Sequence, residues 1–216
     1  MNESQKNPTK QYYENLAKTI IKNLEKRQME GYYCETTKEA IDKLLSLMPP
    51  SSTIGFGGSM TLVETGILDL LKTHDYTLYD RDVATTKEEQ KQVYTNIFNS
   101  DYFLMSTNAI TIQGELINID NRSNRVSFLC FGPEHVIIIA GMNKVVTDVD
   151  SGMKRVRNIA SPKNTVRLHK HTPCSITGVC SDCFSPDCIC SQIVVTRFSH
   201  IPNRIKVILV GEDLGY

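Results

Sequence analysis

Apolar residues recur along this chain with two periods, and the change from one to the other lays out its elements. Tyr12, Tyr13, Leu16, Ile20, Ile21 and Leu24 fall at helical spacing and make one apolar stripe. Charged residues cover the opposite face up to Gly31, where the helix is expected to stop. Thr36-Thr-Lys-Glu39 has the form of a capping box. It opens a second helix through Ile41, Leu44, Leu45 and Met48, which Pro49-Pro50 ends. Ser52 to Phe56 reads as a short buried strand that runs straight into Gly57-Gly58-Ser59-Met60-Thr61. Thr61-Leu-Val-Glu64 has the form of another capping box, leading a helix through Ile67, Leu68, Leu70 and Leu71. A strand at Tyr76 to Tyr79 and a helix capped at Thr86-Lys-Glu-Glu89 and reaching Phe98 follow.

The period then shortens towards two. Strands are expected at 102–106, 109–112, 115–119 and 125–130, with turns at Gly114 and at Asn121 to Asn124. Val136-Ile-Ile-Ile-Ala140 is almost wholly β-branched, the pattern of a central strand covered on both faces. Val149, Met153, Val156 and Ile159 give the apolar face of a helix over 148–160, with Pro162 as its stop and Lys154, Arg155 and Arg157 on a solvated basic face. Strands at 193–196 and 206–210 close the chain. Helices alternating with short strands, then a run of strands, predict an α/β domain with a mixed β-sheet flanked by helices.

Composition adds little to this. The 216 residues suit one large domain, and 40% hydrophobic with 22% charged residues is ordinary for a globular protein. Lys plus Arg equals Asp plus Glu, so no net field recruits nucleic acid or an anionic membrane. No apolar run is long enough for a membrane span and no signal-peptide core is visible, so a cytoplasmic location is expected.

The cysteines change the picture. Five of the seven fall in Cys174-Ser-Ile-Thr-Gly-Val-Cys180-Ser-Asp-Cys183-Phe-Ser-Pro-Asp-Cys188-Ile-Cys190. In a reducing compartment such crowding points to metal binding rather than disulfides, because neighbouring thiolates repel unless a metal shares them. Only Cys180 and Cys183 form the knuckle of a zinc site, and a late Cys near Pro186 resembles iron–sulfur ligation more. Zinc and a redox dithiol remain alternatives. His169 and His171 are candidate extra ligands, or simply loop histidines. Cys34 is expected to be inert and Cys130 to be core packing.

A second candidate site follows the strand ends. Strand, glycine turn and helix at 52–71 place unpaired N–H groups at a helix N-terminus, which favours an anion. The loop is neither a phosphate-binding Walker loop, since no Lys follows, nor a dinucleotide fingerprint. In open α/β sheets ligands sit beyond the carboxyl ends of strands. Ser59 and Thr61, Thr107 and Asn108, and Asn143 and Lys144 occupy such positions, with Asn118, Asp120, Asn124 and Arg125 on the hairpin between. Lys144 or Arg125 would supply the counter-charge for a carboxylate or phosphate. Glu64 and Asp120 are the candidate acids or bases, although a capping role suits Glu64 and a turn role Asp120.

Several stretches together resemble the LUD-domain proteins, the lactate-utilisation group, in their short branch with a C-terminal cysteine motif. They are Pro-Cys-x-x-Thr-Gly-x-Cys-x-Asp-Cys-x-Ser-Pro-x-x-x-Cys from Pro173, Gly55-Phe-Gly-Gly-Ser-Met-Thr61, Asn118-Ile-Asp120 with Asn124-Arg125-Val126, Phe131-Gly132-Pro133, and Ala140-Gly-Met-Asn-Lys144. The resemblance implies a NagB/RpiA/CoA-transferase-like fold over residues 1–216. The N-terminal helical segment would occupy 1–35, and a metal-binding loop would be inserted at 174–190. It implies a [4Fe–4S] cluster on Cys174, Cys180, Cys183 and Cys190, since the family pattern has Arg where this chain has Cys188. It also implies a ligand pocket of Gly57, Gly58, Ser59, Thr61, Asn108, Asn118, Asp120, Asn124, Arg125, Asn143 and Lys144. The family usually carries a glycine-bearing turn where this chain reads Asn121-Arg122-Ser123. The implied function is an iron–sulfur subunit that supports oxidation of L-lactate or a related 2-hydroxy acid alongside other lactate-utilisation subunits. The alternative is a stand-alone enzyme on a small phosphorylated, carboxylate or CoA-like ligand, with a structural metal.

Overall fold

The computed structural model describes residues 7–216; residues 1–6 of the polar start lie outside it. In chain order the elements are α1 (Pro8–Lys26), β1 (Glu30–Cys34), α2 (Thr37–Leu47), β2 (Thr53–Phe56), α3 (Met60–Glu64), α4 (Ile67–Leu71), β3 (Thr77–Tyr79), α5 (Lys87–Phe98), β4 (Tyr102–Met105), β5 (Ala109–Thr111) and β6 (Leu116–Asp120). Then come α6 (Asn124–Cys130), β7 (His135–Gly141), β8 (Val145–Val146), α7 (Val149–Arg155), α8 (Ser161–Arg167), α9 (Pro173–Thr177), β9 (Gln192–Thr196) and β10 (Ile205–Val210).

The expected α/β architecture is present, with its mixed pairing divided between two sheets. The larger is all parallel, in the order β1-β10-β7-β4-β2-β3. Alternate residues of its central strands feed opposite cores. Phe103, Val136, Ile138, Val207 and Leu209 face α1, α5 and α6, whereas Leu104, Ile137, Ile139, Ile208 and Val210 face α2, α3 and α4. Burial on both faces explains why these strands read as continuous apolar runs. The smaller sheet, β8-β5-β6-β9, is antiparallel except where β5 meets β8. One of its faces joins the α1 core through Ile110 and Leu116, and the other packs Ala109, Ile117 and Ile119 on Val156.

The order of the parallel sheet places the site. From β2 the chain crosses to β3 on one side through α3 and α4, which pack on one face of the sheet. It then returns to β4 on the other side of β2 through α5, which packs on the opposite face. The loops leaving β2 and β4 diverge, and the crevice between them is a topological switch point.

Several local expectations are corrected. Residues 125–130 form a helix, not a strand; Val126 and Leu129 lie one turn apart and both are buried, so the segment is amphipathic at helical period as well. Cys130 is exposed at its end rather than packed in the core. Gly31 does not stop α1, which ends at Lys26, but lies in edge strand β1. Pro162 does not end the helix before it. A π-helical segment, Val156–Ala160, joins α7 to α8, and Pro162 enters the first turn of α8, where a missing N–H does least harm.

The predicted helix over 61–71 is two short helices broken at Gly66, whose φ of 69° lies in the left-handed region. Its cap is Ser59, whose Oγ accepts from Leu62 N, rather than Thr61. The box at Thr86 and Glu89 is reciprocal as expected, whereas Glu39 reaches Glu35 N instead of the cap residue's own N–H.

Candidate functional site

Three loops at the carboxyl ends of β2, β4 and β7 converge on Lys144. Its side chain is reeled inward by the single turn Met142–Lys144, so that the residue is only 2% exposed. Nζ donates to Thr61 Oγ1 at 2.8 Å and to Ser106 Oγ at 2.9 Å; among the described residues no carboxylate forms an ion pair with it, although Glu64 is near enough to favour its charge. Burial, followed by the nearby guanidinium groups of Arg155 and Arg125, brings its pKa down to about 7. The amine is therefore partly neutral at physiological pH.

Arg125 has a different part from the one expected of it. Nη1 donates to Ser106 O and Asn118 Oδ1, and Nη2 to Asn108 Oδ1 and Ile119 O, at 2.7 to 3.1 Å. Nε faces Asp120 Oδ2 at 3.3 Å. All five N–H groups are thereby used, so Arg125 clamps the ends of β4 and β6 together and has no donor to offer a ligand. Because Arg125 lies in the first turn of α6, the clamp also holds that helix against the sheet. Asp120 Oδ1 also accepts from Ser123 N, the turn role expected of it. Arg155, expected on a solvated face, is 9% exposed and donates to the carbonyls of Asn143 and Asn108.

Around these groups is a polar cavity of about 400 Å³. Gly58, Ser59, Thr61, Asn108, Asp120, Asn124, Arg125 and Lys144 border it. Gly57, Asn118 and Asn143 stand behind that wall. Gly57 packs on the Arg125 stem, Asn118 holds the Arg125 guanidinium, and Asn143 holds Leu214 N and Gly215 O. The pocket also gathers residues that the sequence did not single out. Arg81 lies over the glycine turn, Arg167 and Asn164 project from α8, and Tyr216 comes from the chain's last residues. Arg81 follows β3, a parallel strand, and the strand-end rule applied to that edge would have found it. Glu64, expected to cap a helix, instead accepts from Gly215 N at 2.6 Å and so tethers those last residues across the mouth.

The cysteine stretch adjoins the pocket. Cys174 opens α9, buried, with its thiol near Thr172 Oγ1 and Thr165 Oγ1 at 3.3 and 3.6 Å. The thiol of Cys190 donates to Ser161 Oγ at 3.3 Å. Burial pushes the Cys190 thiol up to about 11; Ser161 opposes the rise, and Cys188 and Cys180 add to it. Backbone N–H groups aim at two further sulfurs, Asp182 N at Cys180 and Cys190 N at Cys188. From Gly178 to Ser191 the chain has no helix or strand, and Arg157 ties Asp182 to α7 and its π-helical continuation at 2.9 Å. Among the described residues, no three or more of His, Cys, Asp and Glu are gathered as a metal-holding group. The donor chemistry nevertheless fits a thiolate-bound metal group: five soft sulfur donors, two of them already accepting N–H bonds. His169 and His171 lie in the same segment, where His171 contributes its backbone N–H to Asp187. Cys34 is buried, and burial raises its thiol to about 11, which suppresses the reactive thiolate.

Comparison with known proteins bears on the fold and the family. A crystal structure of a DUF162-family protein from Deinococcus radiodurans superposes with a TM-score of 0.53 at 13% identity, over 92% of this chain and 98% of that one. None of the curated proteins matches. No helix among the described residues is long and apolar enough to cross a membrane. The model of the LUD domain matches residues 17–210, a span that takes in the glycine turn, Arg125, Lys144 and the whole cysteine stretch, and the chain belongs to the LUD-domain family.

Proposed function

We propose that this protein is a lactate-utilisation-type iron–sulfur subunit whose polar pocket holds a 2-hydroxy or 2-oxo acid beside a cysteine-bound cluster. The observation that carries this reading is the shared wall between the two candidate sites. Ser161 borders the pocket and accepts the Cys190 thiol, and Ile189, between Cys188 and Cys190, borders the pocket as well.

Cys174, Cys180, Cys183 and Cys190 would hold the cluster, which when bound supplies single-electron transfer. Cys190 and Cys174 lean on Ser161 and Thr165, one turn apart on α8, so two of the four sulfurs are anchored on one helix. In the pocket, the cations Arg81, Arg122 and Arg167 suit a small carboxylate, and Ser59 with the glycine turn suits its oxygen atoms. A chain with this arrangement would work with partner subunits of the same system.

A second reading, a stand-alone enzyme on a carboxylate, phosphorylated or CoA-like ligand with a structural metal, is favoured by one feature. The cavity of about 400 Å³ is larger than lactate requires.

The deciding experiment is anaerobic purification with iron, sulfide and zinc analysis. It is followed by lactate-dependent dye reduction by the chain, by its partners and by the reconstituted set. Brown protein with iron and sulfide, required for full activity of the set, is the expected result. Colourless protein with one zinc, or partners fully active without this chain, would sink the electron-relay reading.

A further inference from the structure

The least expected group in the pocket is the amine of Lys144. A lysine that serves only as a counter-charge is usually left wet or set against a carboxylate. This one is 98% covered and touches two hydroxyl groups. Both hydroxyl groups have acceptors for their own protons: Leu214 O at 3.4 Å for Thr61, and Thr107 O at 3.4 Å for Ser106. Thr61 and Ser106 are thus oriented as acceptors towards Nζ. An uncharged amine has two hydrogens and one lone pair. With both hydrogens directed at the hydroxyl groups, the lone pair is the one part of the nitrogen without a partner. Two fixed guanidinium groups, Arg125 and Arg155, stand nearby with their N–H groups on backbone and side-chain oxygens, and they disfavour a third positive charge. The chain also keeps close cover over the amine: a Cβ at Gly215 would lie 3.3 Å from Nζ and 2.6 Å from Thr61 Oγ1. Such an arrangement does not help to hold an anion. It is what a nucleophilic amine requires.

We propose that Lys144 is a nucleophile that captures the carbonyl carbon of a small 2-oxo acid as a reversible imine. The inference rests on the proposed reading of the pocket as a 2-hydroxy or 2-oxo acid site and assigns that site a covalent step. The lone pair of Nζ forms a bond to C2 while the carbonyl π electrons move to oxygen, which takes up a proton. Nζ gives up its two hydrogens in all, and the former carbonyl oxygen leaves with them as water. Nothing is oxidised or reduced. Thr61 and Ser106, as acceptors from Nζ, hold the amine in position for the attack. The carboxylate of the acid would lie towards Arg81, Arg122 and Arg167, the arginines that border the pocket outside the Arg125 clamp.

The test is reductive trapping of the full-length protein with pyruvate and cyanoborohydride, read by intact-mass and peptide mass spectrometry. The expected product is one reduced pyruvyl adduct per chain, on the peptide that contains Lys144. In Lys144→Arg the adduct should fall at least tenfold. Lys144→Met, which buries no charge, gives the same reading should the arginine variant fail to fold. Pyruvate binding without reductant is measured in parallel by calorimetry. Adducts scattered over surface lysines, or no adduct at saturating pyruvate, would overturn the inference. If pyruvate still binds in that case, the pocket reading survives without the covalent step; if neither pyruvate nor lactate binds, that reading falls too.

Discussion

Cys190 and Ser161 are joined by a thiol-to-hydroxyl hydrogen bond of 3.3 Å, and the same hydroxyl-bearing residue borders the cavity around Lys144. Any group bound by the cysteine loop therefore lies one residue away from whatever occupies the pocket. Cys190→Ser should abolish iron incorporation. Cys188→Ser should retain it, since the family pattern that the cysteine motif resembles has Arg at that position. Iron and sulfide analysis with the visible spectrum checks both; loss in Cys188→Ser with retention in Cys190→Ser would mean that Cys188, not Cys190, is a ligand.

Arg125 should be a stability residue before it is a binding residue. Arg125→Ala strips the partner from Asp120 and the donors from the Ser106 and Ile119 carbonyls, all within the covered sheet end. The expected cost is about 3–5 kcal/mol, by analogy with breaking a buried pair. Arg125→Lys should recover only a part, because one ammonium cannot replace a five-donor fork. Denaturant unfolding measures both; a change below 1 kcal/mol for the alanine variant would refute the clamp.

Lys144 makes stability depend on pH in a defined direction. Its folded pKa, about 7, lies below the unfolded value near 10.5. Between these pH values the unfolded chain binds the extra proton, so stability should rise with pH from about 7 to 10.5. Below pH 7 the cost of burying the charge is present in full. Lys144→Met should remove this slope, and the difference between variant and wild type in unfolding free energy, measured at pH 7 and 9, isolates it. An identical slope in both proteins would show that the amine is charged and satisfied.

Gly58 tests the anion pocket without disturbing the fold. A Cβ there would meet Arg81 Nη2 at 2.7 Å, the far end of a flexible side chain, so Gly58→Ala should cost less than about 1 kcal/mol while displacing Arg81. Pyruvate or lactate binding should weaken several-fold by calorimetry with little change in melting temperature. Unchanged binding would remove Arg81 and the glycine turn from the site.

Much of the frame was legible because covered parallel strands leave a plain mark: the runs at 136–140 and 207–210 have no polar interruption. The turns at the strand ends were legible through Gly57, Asn108 and Lys144, which the pocket wall and its backing do bring together. What failed was decided by distant partners. Residues 125–130 fit a strand by composition and a helix by the spacing of Val126 and Leu129, and the distant acceptors that Arg125 meets at the ends of β4 and β6 suit the helix. Arg155 could not be told from Lys154 and Arg157 by spacing, since burial against the Asn108 and Asn143 carbonyls is a tertiary fact. Strand β1 was hidden because an edge strand carries no burial alternation; four of its five residues are half-exposed.

The π-helical segment Val156–Ala160 sets the phase of everything after it. A π turn takes up one residue more than an α turn, and each residue of a regular helix advances the face by about 100°. The extra residue thus acts as an angular offset between α7, which carries Arg155 to the carbonyls behind Lys144, and α8, which carries Ser161 and Thr165 to the two anchored cysteines. Wound as a regular α-helix, the same residues would carry Ser161 and Thr165 about 100° further around the axis and away from the two anchored cysteines, with Arg155 unmoved. Two neighbouring sites in this fold are thereby geared to one another through the winding of one helix.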